Sequence, residues 1–145
     1  MDDVSVEFDH TIVPTRDREK SARSLARIPG LEAGEPAGVF PPVTTANGVT
    51  PDFATVDIDI PAQHYAFLVP EDGFDAILTR LVDAGIPVRA DPHGRHSRRI
   101  NRDDGGRGVY FRDPAGHGLE AITLPYGTDP ASPLNGVTEE VPKAV

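Results

Sequence analysis

The chain has 145 residues, 38% of them apolar and 26% charged, which suits a single soluble domain with a core of its own. A formal net charge of −9 argues against a nucleic-acid partner, because phosphate backbones are held by basic surfaces. There is no cysteine, so disulfides, thiolate metal sites and cysteine nucleophiles are excluded. The acidic start MDDVSVEF has no apolar signal core, and no run approaches the roughly 18 apolar residues of a membrane span. The expected setting is cytoplasmic, with no membrane partner.

The β-branched run Val4–Val13 reads as a strand that stops at Pro14. A polar stretch from Thr15 leads into Ala22, Leu25 and Ala26, a modest amphipathic helix closed by Pro29-Gly30. From Ala37 to Ile60 the pattern is of short strands, with Asn47-Gly48 as a hairpin turn signal. Ala62–Val69 is again a strand, ended by Pro70. Phe74, Ile77, Leu78, Leu81 and Val82 then mark one face of a helix, with Asp72 as its cap and Gly85 at its end. Short strands are expected at Pro87–Ala90, Gly108–Arg112 and Leu119–Leu124. From 127 to 145 the chain is punctuated by Pro, Thr and Gly and reads as an extended or disordered tail.

The halves repeat. DHTIVP opens the first and QHYAFLVP the second, each a strand with an early histidine and a terminal proline, followed by a helix and more strands. One domain over 1–126 is therefore expected, with modules of about 4–60 and 61–126. The fold class is α+β: two βαβββ modules whose curved mixed sheets leave a concave face for a site.

Alternate residues of a strand share a face. His10 then lies with Phe8 and Ile12, His64 with Ala66 and Leu68, and Glu120 with Gly118, Ile122 and Leu124. Each polar side chain is flanked on its own face by apolar or small residues, which suits a sheltered cavity. Taken singly, each histidine also reads as a hydrogen-bonded surface side chain and Glu120 as a solvated one. Together, two imidazoles and a carboxylate make a facial set for a divalent Fe, Mn, Ni, Co or Zn ion, with positions left open for substrate.

The segments FDHTIVP, AQHYAFLV and above all GVYFRDPAGHGLEAIT resemble the vicinal oxygen chelate superfamily, which includes glyoxalase I, fosfomycin and bleomycin resistance proteins and extradiol dioxygenases. The resemblance covers about residues 4–126, and its most specific part is the run from Phe111 to Glu120. It implies paired βαβββ modules around one divalent metal per site, with His10, His64 and Glu120 as ligands. The metal would act as a Lewis acid on two oxygens of a small oxygen-rich substrate. It also implies a homodimer, in which His10 can come from one subunit and His64 and Glu120 from the other.

Less specific positions follow. Tyr110 matches a substrate-binding tyrosine of fosfomycin-type enzymes, and reads equally as a core aromatic. Asp52 stands in the first module where Glu120 stands in the second, a candidate fourth ligand or a solvated turn residue. The basic run HGRHSRRINR reads as a solvated loop or as a holder of an anionic substrate group, with Arg99 the candidate contact. Asp113, Gly116 and His117 read as turn formers. The function implied is a metal-dependent enzyme, whether lyase, isomerase, transferase or dioxygenase. The alternative is a binding protein that sequesters a small molecule without turnover.

Overall fold

In the computed structural model, residues 5–31 and 43–142 are described. The chain divides into two compact units, Met1–Ile60 and Pro61–Val145. The fold is α+β with mixed sheets.

In the first unit, β1 (His10–Thr15) pairs in parallel with β2 (Thr50–Thr55), and α1 (Arg18–Arg27) lies between them in sequence. Asp17 caps α1 by accepting the Lys20 N–H at 3.2 Å. Ser21, Ala22 and Leu25 are its buried residues, and the Ser21 hydroxyl meets that of buried Thr15 at 2.6 Å. Pro14 does not end the strand but sits inside β1, opposite Ala54. With one partner strand among the described residues, its missing N–H can face away from the ladder. The strand also begins later than the composition suggests, at His10, leaving Val6 and Phe8 exposed. The Asn47-Gly48 turn forms, with the Gly48 N–H bonded to the Thr45 carbonyl. The strands expected from Ala37 fall partly on residues 37–42, and the start of the first strand on Val4, both outside the described residues.

In the second unit, β3 (His64–Leu68), α2 (Glu71–Asp83), β4 (Arg99–Asn101), β5 (Gly108–Arg112), β6 (Gly118–Ile122) and β7 (Thr138–Glu140) form a five-stranded sheet of order β3-β6-β5-β4-β7. β3 and β6 are parallel and the other pairs antiparallel. One face of the sheet is core: Val109, Phe111, Leu119 and Ala121 are buried, as are Phe74, Ile77, Leu78 and Leu81 of α2. The other face carries His64, Tyr110 and Glu120, as the period of two requires. Asp72 does not cap α2. Pro70 holds the cap position, and the Asp72 carboxylate accepts the adjacent Gly73 N–H instead. Arg107, just before β5, ties the start of α2 to the sheet through Glu71 at 2.7 Å and Asp75 at 2.8 Å, with its guanidinium over the Phe74 ring.

Residues 87–90 form no full strand, but Arg89 makes bridges to Tyr110 and to Ser97. The stretch from 127 is not a free tail. β7 closes the sheet beside β4, and a turn of three residues (Asp103–Gly105) gathers the chain that leads to it. The Asp104 carboxylate accepts the N–H groups of Gly127 and Asp129, and that of Asp103 accepts Gly136. Asp104 holds φ at 59°, a left-handed conformation that Asp tolerates better than most residues.

Asn101 is buried and joins three segments: its amide donates to the Ala90 carbonyl at 2.9 Å and accepts the Asp103 N–H, in the space left by Gly108. A Cβ at Gly108 would lie 2.8 Å from the Asn101 amide oxygen. Asn101→Ala leaves a carbonyl and an N–H without these partners and is expected to cost about 1–3 kcal/mol. Urea unfolding at equal m-value measures it, and a loss under about 0.5 kcal/mol would show that Asn101 is no such joint. Removing residues 127–145 is expected to lower the urea midpoint as well, because it strips β4 of its outer partner.

Candidate functional site

The site face of the second unit is built by register. The parallel pair β3–β6 sets His64 opposite Gly118 and Ala66 opposite Glu120, and the antiparallel pair β5–β6 sets Tyr110 opposite Glu120. His64 Nε2 comes within 3.1 Å of Glu120 Oε1. The Tyr110 ring stacks on the His64 imidazole, with centroids 5.7 Å apart and planes at 28°. The Glu120 side chain is only 15% exposed, against 49% for His64. A carboxylate so sheltered stays charged only if cations or donors offset its desolvation.

Tyr110 supplies one such donor. Burial raises the pKa of its phenol well above the ordinary value, and the Glu120 charge and a hydrogen bond to Glu120 add to the rise. The phenol therefore stays protonated and gives its O–H to the carboxylate. Gly118 leaves room beside the imidazole: a Cβ there would stand 3.5 Å from His64 Nδ1.

These groups line a cavity of about 370 Å³. Ala66, Ile122 and Leu124 give it apolar walls, while Asp103, Asp104, Arg107 and Tyr126 supply its polar rim. A second cavity of about 240 Å³ also borders His64 and Tyr110, and adds Gln63, Arg89 and Arg112.

The turn before β6 holds this arrangement. The Asp113 carboxylate accepts the N–H groups of Ala115 and His117, and Gly116 takes φ of 89°. His117 is fully buried, lies edge-on to Tyr65, and accepts the Gln63 N–H on Nδ1 at 2.9 Å. It is a structural residue that locks the residue before His64 to the start of β6.

Of the residues expected to hold metal, the structure brings His64 and Glu120 together. His10 belongs to the first unit, where its Nδ1 pairs with Asp9 at 2.7 Å. Asp52 is exposed in β2, opposite Ile12, two residues along from the His10–Thr50 pair. Glu120 stands in the same register relation to His64, so the two strand pairs repeat one layout. Among the described residues, no three His, Asp or Glu side chains gather into one cluster. The chemistry of the pair nonetheless fits a divalent ion. One imidazole nitrogen and one carboxylate oxygen about 3 Å apart match adjacent ligands of an ion with bonds of about 2.1 Å.

Arg99 lies in β4, and its side chain is engaged by β7. Its guanidinium donates to the Thr138 hydroxyl at 2.6 Å and to the Thr138 carbonyl at 2.9 Å, holding β7. His93 and His96 lie in a loop whose N–H groups are gathered by the Asp91 carboxylate. Arg89 is the side chain that sequence reasoning missed. It sits between buried Val88 and Ala90.

The chain matches no protein-family profile. A metallothiol transferase, FosB of Shouchella clausii strain KSM-K16, is 37% identical over 78 residues, 54% of this chain and 49% of that protein. The match thus spans about half the length of that curated relative. Among solved structures, the oxidase ChaP-H2 is 50% identical, covers 86% of this chain and 98% of its own, and superposes with a TM-score of 0.82. A glyoxalase/dioxygenase from Nostoc punctiforme shares the fold at 22% identity, covering 86% of this chain and 99% of its own with a TM-score of 0.62.

The protonated state of Tyr110 is testable. Its raised pKa means that alkaline titration to about pH 11 leaves the phenol intact, although a free tyrosine is mostly ionised there. Tyr110→Phe is then expected to leave the tyrosinate absorbance gained between pH 7 and 11 unchanged. A drop of one tyrosine equivalent would show that Glu120 does not hold the proton.

Proposed function

The chain belongs to the vicinal oxygen chelate superfamily, and on that premise we propose that it is a metal-dependent enzyme oxidising a small oxygen-rich molecule with dioxygen as the electron acceptor. The observation that carries this reading is the sheltered Glu120 carboxylate, held 3.1 Å from His64 Nε2 at the wall of the 370 Å³ cavity. The oxidative direction rests on ChaP-H2, an oxidase by name, which matches nearly all of its own length at 50% identity. The thiol-transferase direction rests on a match to half of FosB.

His64 and Glu120 are the proposed ligands of one divalent ion, Fe, Mn, Ni, Co or Zn, with His10 as the third ligand and Asp52 as a further acidic candidate. A homodimer supplies His10 from a second copy of the chain. The ion, when bound, stabilises negative charge on substrate oxygens. The chain's own groups do the rest. Tyr110 stacks on the imidazole and fixes its plane, and its O–H holds the Glu120 oxygens in place. Ala66, Ile122 and Leu124 give the substrate an apolar wall beside the pair. The polar rim gives the substrate hydroxyl or carbonyl groups partners at the mouth.

A second reading, a module that holds a small molecule without turnover, is favoured by one observation: no third ligand joins His64 and Glu120 among the described residues. Elemental analysis of untagged protein separates the two. Near-stoichiometric metal in the parent, falling at least about tenfold in His64→Ala, Glu120→Ala and His10→Ala, is expected for the enzyme. Failure of the parent to take up any divalent ion on loading would overturn it in favour of the binding module.

A further inference from the structure

We infer that Arg89 forms a carboxylate-binding subsite beside the His64–Glu120 pair, so that the molecule acted on carries a carboxylate next to its reacting oxygens. The observation is a buried guanidinium nitrogen, Arg89 Nε, with no hydrogen-bond partner among the described residues. A charged donor removed from water without an acceptor is destabilising, and a site that keeps one is shaped for a ligand that completes it.

The placement supports the same conclusion. Arg89 and Tyr110 exchange both backbone hydrogen bonds, at 3.0 and 2.8 Å, so their side chains leave the sheet on one face. Arg89 thereby lines the 240 Å³ cavity that borders His64 and Tyr110. Arg112 adds a second guanidinium there, and no acidic side chain lines this cavity. Ala62, Pro92 and Phe111 give it apolar walls. In a chain of net charge −9, a pocket with two arginines and no carboxylate is a local reversal of sign.

The loop after Arg89 is fitted around it. Gly94, with φ of 70°, passes so close that a Cβ there would stand 3.4 Å from the Arg89 Cδ and 3.6 Å from its Nη1. Gly94 thus borders the guanidinium side of Arg89 without crowding it. A planar carboxylate suits the Arg89 guanidinium that lines this cavity, because its forked N–H groups match two oxygens. Apolar walls then suit an aryl or short alkyl group behind the carboxylate.

As a statement about substrate class, the inference rests on the enzymatic reading above, but its test does not. Sodium benzoate is titrated into the full-length protein by calorimetry, and into ¹⁵N-labelled protein with the arginine Nε–H signals followed by NMR. Benzamide serves as the neutral isostere and inorganic phosphate as the competing anion. Benzoate is expected to shift the Arg89 Nε–H resonance and to bind at least about tenfold more tightly than benzamide or phosphate. Arg89→Gln is expected to lose about tenfold in benzoate affinity, and Arg89→Lys, which keeps the charge without the fork, to lose a smaller part. Metal content is measured on the parent protein alongside, so a parent that takes up no divalent ion yet binds benzoate counts against the enzymatic reading alone. Benzoate binding unchanged in Arg89→Gln and Arg89→Lys, phosphate binding as tight as benzoate, or an unmoved Arg89 resonance would each overturn the subsite.

Discussion

The pairing of β3 with β6 places the chemistry of the second unit. These strands are parallel, and in that register His64 faces Gly118 while Ala66 faces Glu120. The antiparallel partner β5 then brings Tyr110 opposite Glu120, and the bridge beyond brings Arg89 opposite Tyr110. Arg89, Tyr110 and Glu120 thus form one cross-strand row, with His64 one pleat further along β3. A slip of β3 by one residue would turn His64 into the core and Tyr65 onto the site face. The Asp-Pro-Ala-Gly-His turn prevents that slip. Buried His117 accepts the Gln63 N–H at 2.9 Å, and the Gly118 N–H donates to the Gln63 carbonyl at 2.8 Å. Both contacts act on the residue just before His64, so the turn within the chain's most distinctive motif sets register while Glu120 at the end of that motif carries the chemistry.

The same row explains how a carboxylate persists on a sheltered surface. Glu120 would be costly alone, and its two neighbours are donors: the imidazole on one side and a phenol that keeps its proton on the other. The phenol in turn lies against the imidazole, so each of the three groups limits the freedom of the other two. Arg107 performs the corresponding task at the edge of the cavity. Its charge is met by Glu71 and Asp75, and the hydrogen bond holds Glu71 below the usual carboxylate range. That pairing fixes the start of α2 against β5 and leaves Arg107 as part of the rim.

Strands and site were legible where alternation and burial agree. His64, Ala66 and Leu68 share one face of β3 as read, and the burial of β6 alternates residue by residue around Glu120. What was not legible depends on partners distant in sequence. Pro14 reads as a stop because a central strand rejects proline, but β1 has one partner strand in the described residues and accommodates it. The stretch after 127 reads as a tail because it is poor in apolar residues. Its attachment is polar instead, through the carboxylates of Asp103 and Asp104 and through Thr138 on the Arg99 guanidinium. Arg99 drew attention as one of a cluster of cations, and clustering is weak evidence when each cation can find its own acceptor. Arg89 stands apart from that cluster, and its place opposite Tyr110 depends on a bridge between segments distant in sequence.

The sign of the charge around Arg89 constrains how an anion would reach it. A chain of net charge −9 repels anions at distances up to the Debye length, about 8 Å at physiological ionic strength. Long-range attraction therefore contributes nothing to capture, and recognition rests on short-range hydrogen bonds in a cavity with no carboxylate on its walls. Such contacts act on the dissociation rate more than on the association rate, and ions in solution screen buried pairs weakly. Phosphate and other strongly hydrated anions would have to surrender their water beside Pro92 and Phe111, which offer nothing in exchange. A carboxylate carried on an apolar group meets both requirements, because its charged end completes the guanidinium while the rest of the molecule covers the apolar wall.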